Sequence, residues 1–457
     1  MASKQSFTRS HAPRGNAVLD ALRRYPQALR SSARGACKTA FPRGAWERGQ
    51  SPVARRSRNL SERRVGLALP FSLNDRIGNG RASPTLREKC TPESENLGDN
   101  NVGWASPTIF GRQRWAVPTL LLLVIATNSH AQDKPAGATA SDESIRRALV
   151  YLKDSQKPDG GWDAGFGRAT SVTSLAVMSF LASGHVPGEP GPYRDAIDRG
   201  IRYVLAHQKP NGMLVANTSH GPMYCHGIST LMLAEVVGMT NDAALADQCR
   251  GALSRAIDLI LKAQDVPSKR KDERSDGGWR YQPSSTDSDL SVSGWQVMAL
   301  RAAKSAGCAV PSENIDRAVG YIKRCASKGG GFGYQPGGEP NNPRTGTGIL
   351  ALEICGEHET PEAVAGAEYM VKHLPRWGSQ YFFYEVYYCP QALFQVGDRY
   401  FDAYYPRLVD ILLEHQDKDG SWLSGDGNDR SGGRVYCTSM AVLALAVEYR
   451  YLPIYQR

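Results

Sequence analysis

The chain has 457 residues, 41% hydrophobic and 22% charged, which is ample for a large core and excludes a low-complexity or disulfide-framed miniature. Its formal charge of +10 is unevenly placed: residues 1–131 hold 21 Lys and Arg against 8 Asp and Glu, and residues 132–457 hold 34 against 37. The basic excess therefore belongs to the first part alone, and nucleic acid is excluded as a partner of the remainder.

In chain order, residues 1–111 are rich in Arg, Ser, Pro, Gly and Asn, with no apolar period of 3.6 or 2, and read as a disordered leader. Residues 112–131 differ. Arg112 and Arg114 precede Trp115, Ala116, Val117 and the apolar run from Leu120 to Ala126, and Ser129-His130-Ala131 is a small-x-small site. A basic, then apolar, then small-residue pattern is that of an export signal, and the apolar run is short for a membrane span. The expectation is an exported protein, periplasmic or secreted, whose translation starts downstream of Met1 at a non-ATG codon such as Val102 or Val117. The alternative is a membrane anchor through residues 115–131.

From about Asp142 one unit recurs: an amphipathic helix ending near a Gln, a Gly-rich turn with an aromatic residue, then a more apolar helix. The clearest turns are Gln156-Lys-Pro-Asp-Gly160-Gly-Trp162, Gln208-Lys-Pro-Asn-Gly212-Met-Leu214, Gln264 with Gly277-Gly-Trp279 after a charged insertion, and Gln416-Asp-Lys-Asp-Gly420-Ser-Trp422. Weaker copies lie at Cys325 with Gly331-Phe332-Gly333-Tyr334 and at Leu374 with Trp377. Successive Gln-equivalent positions are 52, 56, 61, 49 and 42 residues apart, a period that marks repeated supersecondary units. Helices such as Ile145–Gln156 carry charge on one side; the run around Leu290, Trp295, Val297, Met298 and Leu300 is apolar on most faces and should be buried. Six hairpins with one very apolar helix each bury it by closing into a ring. The expected fold is all-α: an α/α toroid, or α6/α6 barrel, of about six helical hairpins over residues 142–457.

The Gln156…Trp162 and Gln416…Trp422 turns resemble the QW repeats of squalene and oxidosqualene cyclases. Over residues 142–457 the chain resembles the terpenoid cyclase and protein prenyltransferase superfamily. That resemblance implies the toroid and is much less specific for a reaction. Prenyltransferases hold zinc with an Asp-x-Cys and a His of the next repeat; here Tyr387 stands two residues before Cys389, and no His follows His415 in the sixth repeat. Cys225-His226-Gly227 is similar to the zinc-binding Cys-His-Gly of lanthipeptide cyclases, but the adjoining repeats offer Thr173 and Asp289 rather than the third ligand, a Cys. Neither a metal nor a cofactor is expected. The nine cysteines (Cys37, Cys90, Cys225, Cys249, Cys308, Cys325, Cys355, Cys389 and Cys437) form no Cys-x-x-Cys pair and read mostly as small buried hydrophobes.

The repeat register places the start of each inner helix at one end of the barrel, where polar residues should converge on one cavity. Class II terpene cyclases start an inner helix with Asp-x-Asp-Asp-(Thr/Ser)-Ala, and their middle Asp protonates an alkene or epoxide. Asp287-Ser-Asp289-Leu-Ser291 matches the first and middle positions, while Leu290 replaces the last Asp. By that resemblance Asp289 is the acid, kept protonated by an apolar pocket and a neighbouring carboxylate, Asp287. The bland reading is that either residue caps the helix. His226 joins the catalytic candidates. Cys225, Trp295, Arg344, Tyr388, Cys389, Arg434 and Tyr436 are the substrate-binding candidates, the aromatic faces being suited to carbocations.

Two functions follow. One is a cyclase (an isomerase) or transferase acting on an isoprenoid or other apolar small molecule with Asp289 as general acid. The other is a non-catalytic exported toroid gripping a peptide, glycan or lipid at the barrel mouth. Peripheral membrane contact is a further expectation.

Overall fold

The computed structural model describes residues 139–218, 220–270, 272–424 and 431–456. The expected leader (1–111) and export segment (112–131) lie outside them. Twelve main helices are described: α1 (Ala140–Ser155), α2 (Thr170–Ala182), α3 (Arg194–Ala206), α4 (Pro222–Met239), α5 (Ala243–Gln264), α6 (Leu290–Ser305), α7 (Ser312–Arg324), α8 (Asn342–Ile354), α9 (Pro361–Lys372), α10 (Phe382–Val396), α11 (Asp398–Glu414) and α12 (Gly433–Leu445).

Apolar content sorts them into two layers. Every residue of α2 is buried, as is every residue of α4 from Met223 to Val237. In α7 only the stripe Asn314, Ile315, Ala318, Val319, Tyr321 and Ile322 is buried, the i, i+3/i+4 spacing of a one-sided helix. The even-numbered helices pack in the order α2, α4, α6, α8, α10, α12 and back to α2, so the inner layer is a closed ring. Each later odd-numbered helix lies outside against the inner helix before it, and α1 completes the outer layer on α12. This is the α/α toroid the repeat implies. Glycines let inner helices approach closely: a Cβ at Gly294 of α6 would fall 2.3 Å from Thr347 of α8, and one at Gly346 would fall 2.9 Å from the Cys389 backbone.

The turns join neighbouring hairpins. The Gln156 amide donates to Gly160 O of its own turn (2.9 Å) and to Ala196 O of the next outer helix (2.8 Å). Gln208 does the same with Gly212 and Ala252, Gln264 with Gly277 and Asn314, and Gln416 with Gly420 and Ser144. The last of these ties the sixth turn back to α1. Beneath each tryptophan turn the indole Nε1 donates to a carbonyl of the preceding outer helix: Trp162 to Leu152, Trp279 to Ile260 and Trp422 to Leu412. The β-bridges Gln208–Leu214 and Ala326–Phe332 show that the fourth-turn equivalent of Gln is Ala326, one residue beyond the expected Cys325. Cys325 instead forms the C-cap of α7 and is fully buried.

Beyond α12 the chain crosses the other end of the barrel. A Cβ at Gly184 or Gly238 would press on Tyr451 or Pro453, Ile454 N donates to Glu235 Oε2 (3.4 Å), and Tyr455 OH meets Tyr387 OH at 2.7 Å.

Candidate functional site

The third hairpin is built differently from the others. After α5 an insertion forms a single helical turn, Pro267–Arg270, which buries Lys269 completely. Its Nζ donates to Ala263 O (2.8 Å) and Gly278 O (3.3 Å), and burial pushes its pKa down to about 8. The chain then passes Trp279, Arg280 and Tyr281 and returns to α6 through Asp289, whose N–H donates to Trp279 O (2.9 Å).

Asp289 has extended backbone angles and is the N-cap of α6, with Oδ1 accepting from Val292 N at 2.9 Å. A cap uses one oxygen. The other, Oδ2, is buried with no hydrogen-bond partner, and the closest cation, Arg280 Nε, is 3.8 Å away. The Asp289 side chain is 0% exposed. Burial pushes its pKa up to about 7; the Val292 N–H, Arg280 and Tyr334 pull the other way. Asp287, expected to raise it as a neighbouring carboxylate, contributes least, because it is 48% exposed and ion-paired to Arg280.

Arg280 is therefore the pivot of the site. It pairs with Asp287, and its guanidinium lies 5.0 Å from the Tyr281 ring centre and 5.6 Å from that of Tyr334. The Tyr281 and Tyr334 hydroxyls bond to each other, and Arg344 approaches Tyr334 from another side at 5.4 Å. Tyr224 and Tyr384 also face Asp289, and burial keeps both phenols protonated. Arg280, Tyr281, Tyr334 and Tyr384 were not among the expected site residues. A signal existed: two residues past the turn aromatic stand Tyr281 and Tyr334 in repeats three and four, but Ala164, Ala216 and Ser424 in repeats one, two and six.

The other candidates divide. Trp295 is buried against Tyr387 (ring centres 5.1 Å apart, stacked) and Tyr388 (5.2 Å, edge-on), and Tyr384 packs on Tyr388 at 4.8 Å. The Tyr388 hydroxyl is buried without a partner. Tyr436 is buried at the start of α12. Arg434, Cys225, Cys389 and His226 are not gathered at the acid. Arg434 pairs with Asp417 and donates to Ser421 Oγ (2.8 Å) in the sixth turn. Cys225 Sγ rests 3.4 Å from Ser171 Oγ, and Cys389 Sγ 3.3 Å from Asn342 O.

His226, expected at the cavity, is instead held in the scaffold. Thr173, Ser293, Thr345 and Thr438 each use a hydroxyl to accept the backbone N–H of the turn aromatic. His226 Nδ1 does this for Leu214 N (3.1 Å), leaving Nε2–H to donate to Ala256 O (3.1 Å). Both ring nitrogens are thus spent on backbone, and burial pushes the pKa down to about 4, so the ring is neutral. Among the described residues no three His, Cys, Asp or Glu side chains are grouped as a metal site, and no helix is long and apolar enough to cross a membrane. Among them Val150 is the one exposed large hydrophobic side chain.

A family model, the prenyltransferase alpha-alpha toroid domain, matches residues 135–380. The drimenyl diphosphate synthase of Streptomyces showdoensis is 26% identical over 196 residues, which is 42% of this chain and 32% of that relative, so the match spans about a third of its length. Among solved structures, a type II terpene cyclase from Scytonema in complex with merosterolic acid A has a TM-score of 0.45 at 18% identity, covering 68% of this chain and 98% of that one. The same cyclase in complex with geranylgeranyl dihydroxybenzoate gives 0.44 at 17% identity, with 69% and 98% covered.

Proposed function

Since this chain belongs to the prenyltransferase alpha-alpha toroid domain family and is a terpene cyclase-like toroid, we propose that it acts on an isoprenoid or similarly apolar alkene, with Asp289 as proton donor. The observation that carries this reading is the Asp289 carboxyl itself: fully buried, pushed by burial up to about 7, with Oδ2 making no hydrogen bond and lying 3.8 Å from Arg280 Nε. The alkene π pair takes the Oδ2 proton to form a C–H bond and leaves a carbocation. The Asp289 carboxylate left behind is held by the Val292 N–H and Arg280. Trp295, Tyr384 and Tyr388 supply π faces to the cation; solvent water takes the proton lost from the final cation, which leaves an alkene, and Asp289 regains its proton from solvent.

The test is incubation with squalene and with polyprenyl diphosphates, followed by gas chromatography and mass spectrometry. The wild type is expected to give cyclic products. Asp289→Asn, which keeps the cap oxygen but carries no acidic proton, is expected to lower turnover by about 10²-fold or more. Absence of product from the wild type overturns the reading.

A second reading, a non-catalytic toroid that grips a peptide, glycan or lipid, draws on the close packing of Trp295, Tyr387 and Tyr388, which are 0–1% exposed in the structure. Export through residues 112–131 is part of both readings. A native N-terminus mapped by mass spectrometry near residue 132 supports it, and mature-protein peptides from residues 1–100 overturn it.

A further inference from the structure

The fifth turn departs from the repeat. His373 Nδ1 contacts Tyr369 O (2.7 Å) just as His207 contacts Tyr203 O and His415 contacts Ile411 O, so Leu374 stands where Gln208 and Gln416 stand. An isobutyl group cannot donate to the next outer helix. Four turns are sealed by that amide and the fourth carries Ala326 in its place; the fifth holds a pocket of about 570 Å³ beside Leu374.

The pocket is lined by charged and polar side chains. Glu385, buried, accepts from Asn342 Nδ2 and Tyr404 OH at 2.8 Å each and from Ser379 Oγ at 3.3 Å. With Nδ2 so engaged, Asn342 Oδ1 is buried with no partner, an acceptor lacking a donor. Lys372, Arg376 and Arg407 line the same pocket, with Arg407 Nε already donating to Pro375 O (3.3 Å). Three cations against the single Glu385 carboxylate call for an anion, and the Asn342 oxygen calls for a hydroxyl donor. None of the residues grouped around Asp289 lines this pocket.

We infer that the fifth-turn pocket binds a small anion-bearing polyol, a monosaccharide carrying a carboxylate or a phosphate. The anion sits among Lys372, Arg376 and Arg407, and a ring hydroxyl donates to Asn342 Oδ1.

Isothermal titration of the full chain with glucuronate, glucose 6-phosphate, glucose and inorganic phosphate tests this. Glucuronate or glucose 6-phosphate is expected to bind about tenfold or more tightly than either glucose or phosphate, since neither fragment satisfies both halves of the pocket. Which of the two acids binds better tells carboxylate from phosphate. The double variant Lys372→Ala/Arg376→Ala removes two exposed side chains, so the fold survives, and it is expected to weaken binding about tenfold or more. Binding of neither acid, equal binding of phosphate or glucose alone, or an unchanged affinity in the double variant overturns the inference. The titration does not involve Asp289 chemistry, so its failure leaves the proposed reaction standing.

Discussion

Trp422→Ala is expected to destabilise the toroid by about 3–5 kcal/mol, the cost of emptying a buried indole site. Trp422 is fully buried, its Nε1 donates to Leu412 O at 2.8 Å, and its own N–H donates to Thr438 Oγ1 at 3.1 Å. The truncation leaves a cavity and strands the Leu412 carbonyl, two costs that add. The position matters as much as the area. This turn carries Gln416, which exchanges hydrogen bonds with Ser144, and Asp417, whose carbonyl accepts from Arg147, so it is where the last hairpin grips the first helix. A closed ring has no free end from which to fray, and urea unfolding of the wild type should be one cooperative transition. Trp377→Ala in the fifth turn is the comparison. That ring is half-buried, stacks on His415 and seals no glutamine bridge, so a loss of about 1–2 kcal/mol is expected. Urea denaturation followed by circular dichroism measures both. A Trp422→Ala loss under about 1 kcal/mol shows that closure does not depend on this turn.

The ring was legible because it is periodic. Six copies of one hairpin print the same apolar helix six times and a clear turn four times, and burial of that helix admits few arrangements. What broke the period was read less well. Ala326 takes the Gln place although it cannot donate, so the eye settles on Cys325. His226 beside Cys225 suggests a reactive pair until the register is drawn through Thr173, Ser293, Thr345 and Thr438; it then becomes the one imidazole in a column of hydroxyls. Arg280 was missed because it lies in the loop, away from the starts of inner helices where the register gathers polar residues. The Asp-x-Asp drew attention to the right carboxyl for a partly different reason: depth in the fold, more than Asp287, raises the pKa of Asp289. The fifth-turn pocket is a matter of omission. Leu374 is ordinary as a leucine and informative only as a missing glutamine.

Asp289→Asn and Glu235→Gln should each make the protein more stable at alkaline pH. Glu235 lies in α4 with 1% exposure, faces Tyr387 and Tyr455, and is pushed by burial up to about 8, as Asp289 is to about 7. Below about pH 4 both carboxyls are protonated in the folded and unfolded chains, and neither favours one state over the other. As pH rises past the unfolded values the unfolded chain releases protons that the folded chain keeps, so stability falls with pH. The loss continues to about pH 7 for Asp289 and about pH 8 for Glu235, then levels off. At about 1.4 kcal/mol per unit the full penalty approaches about 4–5 kcal/mol at each site, an upper bound because a strained pocket can relax or admit water. The amides carry no such penalty. Asp289→Asn retains the oxygen that caps α6, and Glu235→Gln retains an acceptor for Ile454 N. His226 works in the opposite sense, since its neutral buried ring costs stability as pH falls from about 6.5 towards 4, and Lys269, pushed down to about 8, opposes the carboxyls only above that pH. Comparing each variant with the wild type cancels the His226 contribution; for Asp289→Asn the Lys269 contribution changes too, because the Asp289 charge raises the Lys269 pKa. Urea midpoints at pH 5 and pH 9 are the measurement: the variants should gain at pH 9 by about 2–4 kcal/mol relative to their difference at pH 5. A gain confined to Glu235→Gln would mean that Arg280 already holds Asp289 as a carboxylate, and the proton its proposed chemistry needs would not be there to give.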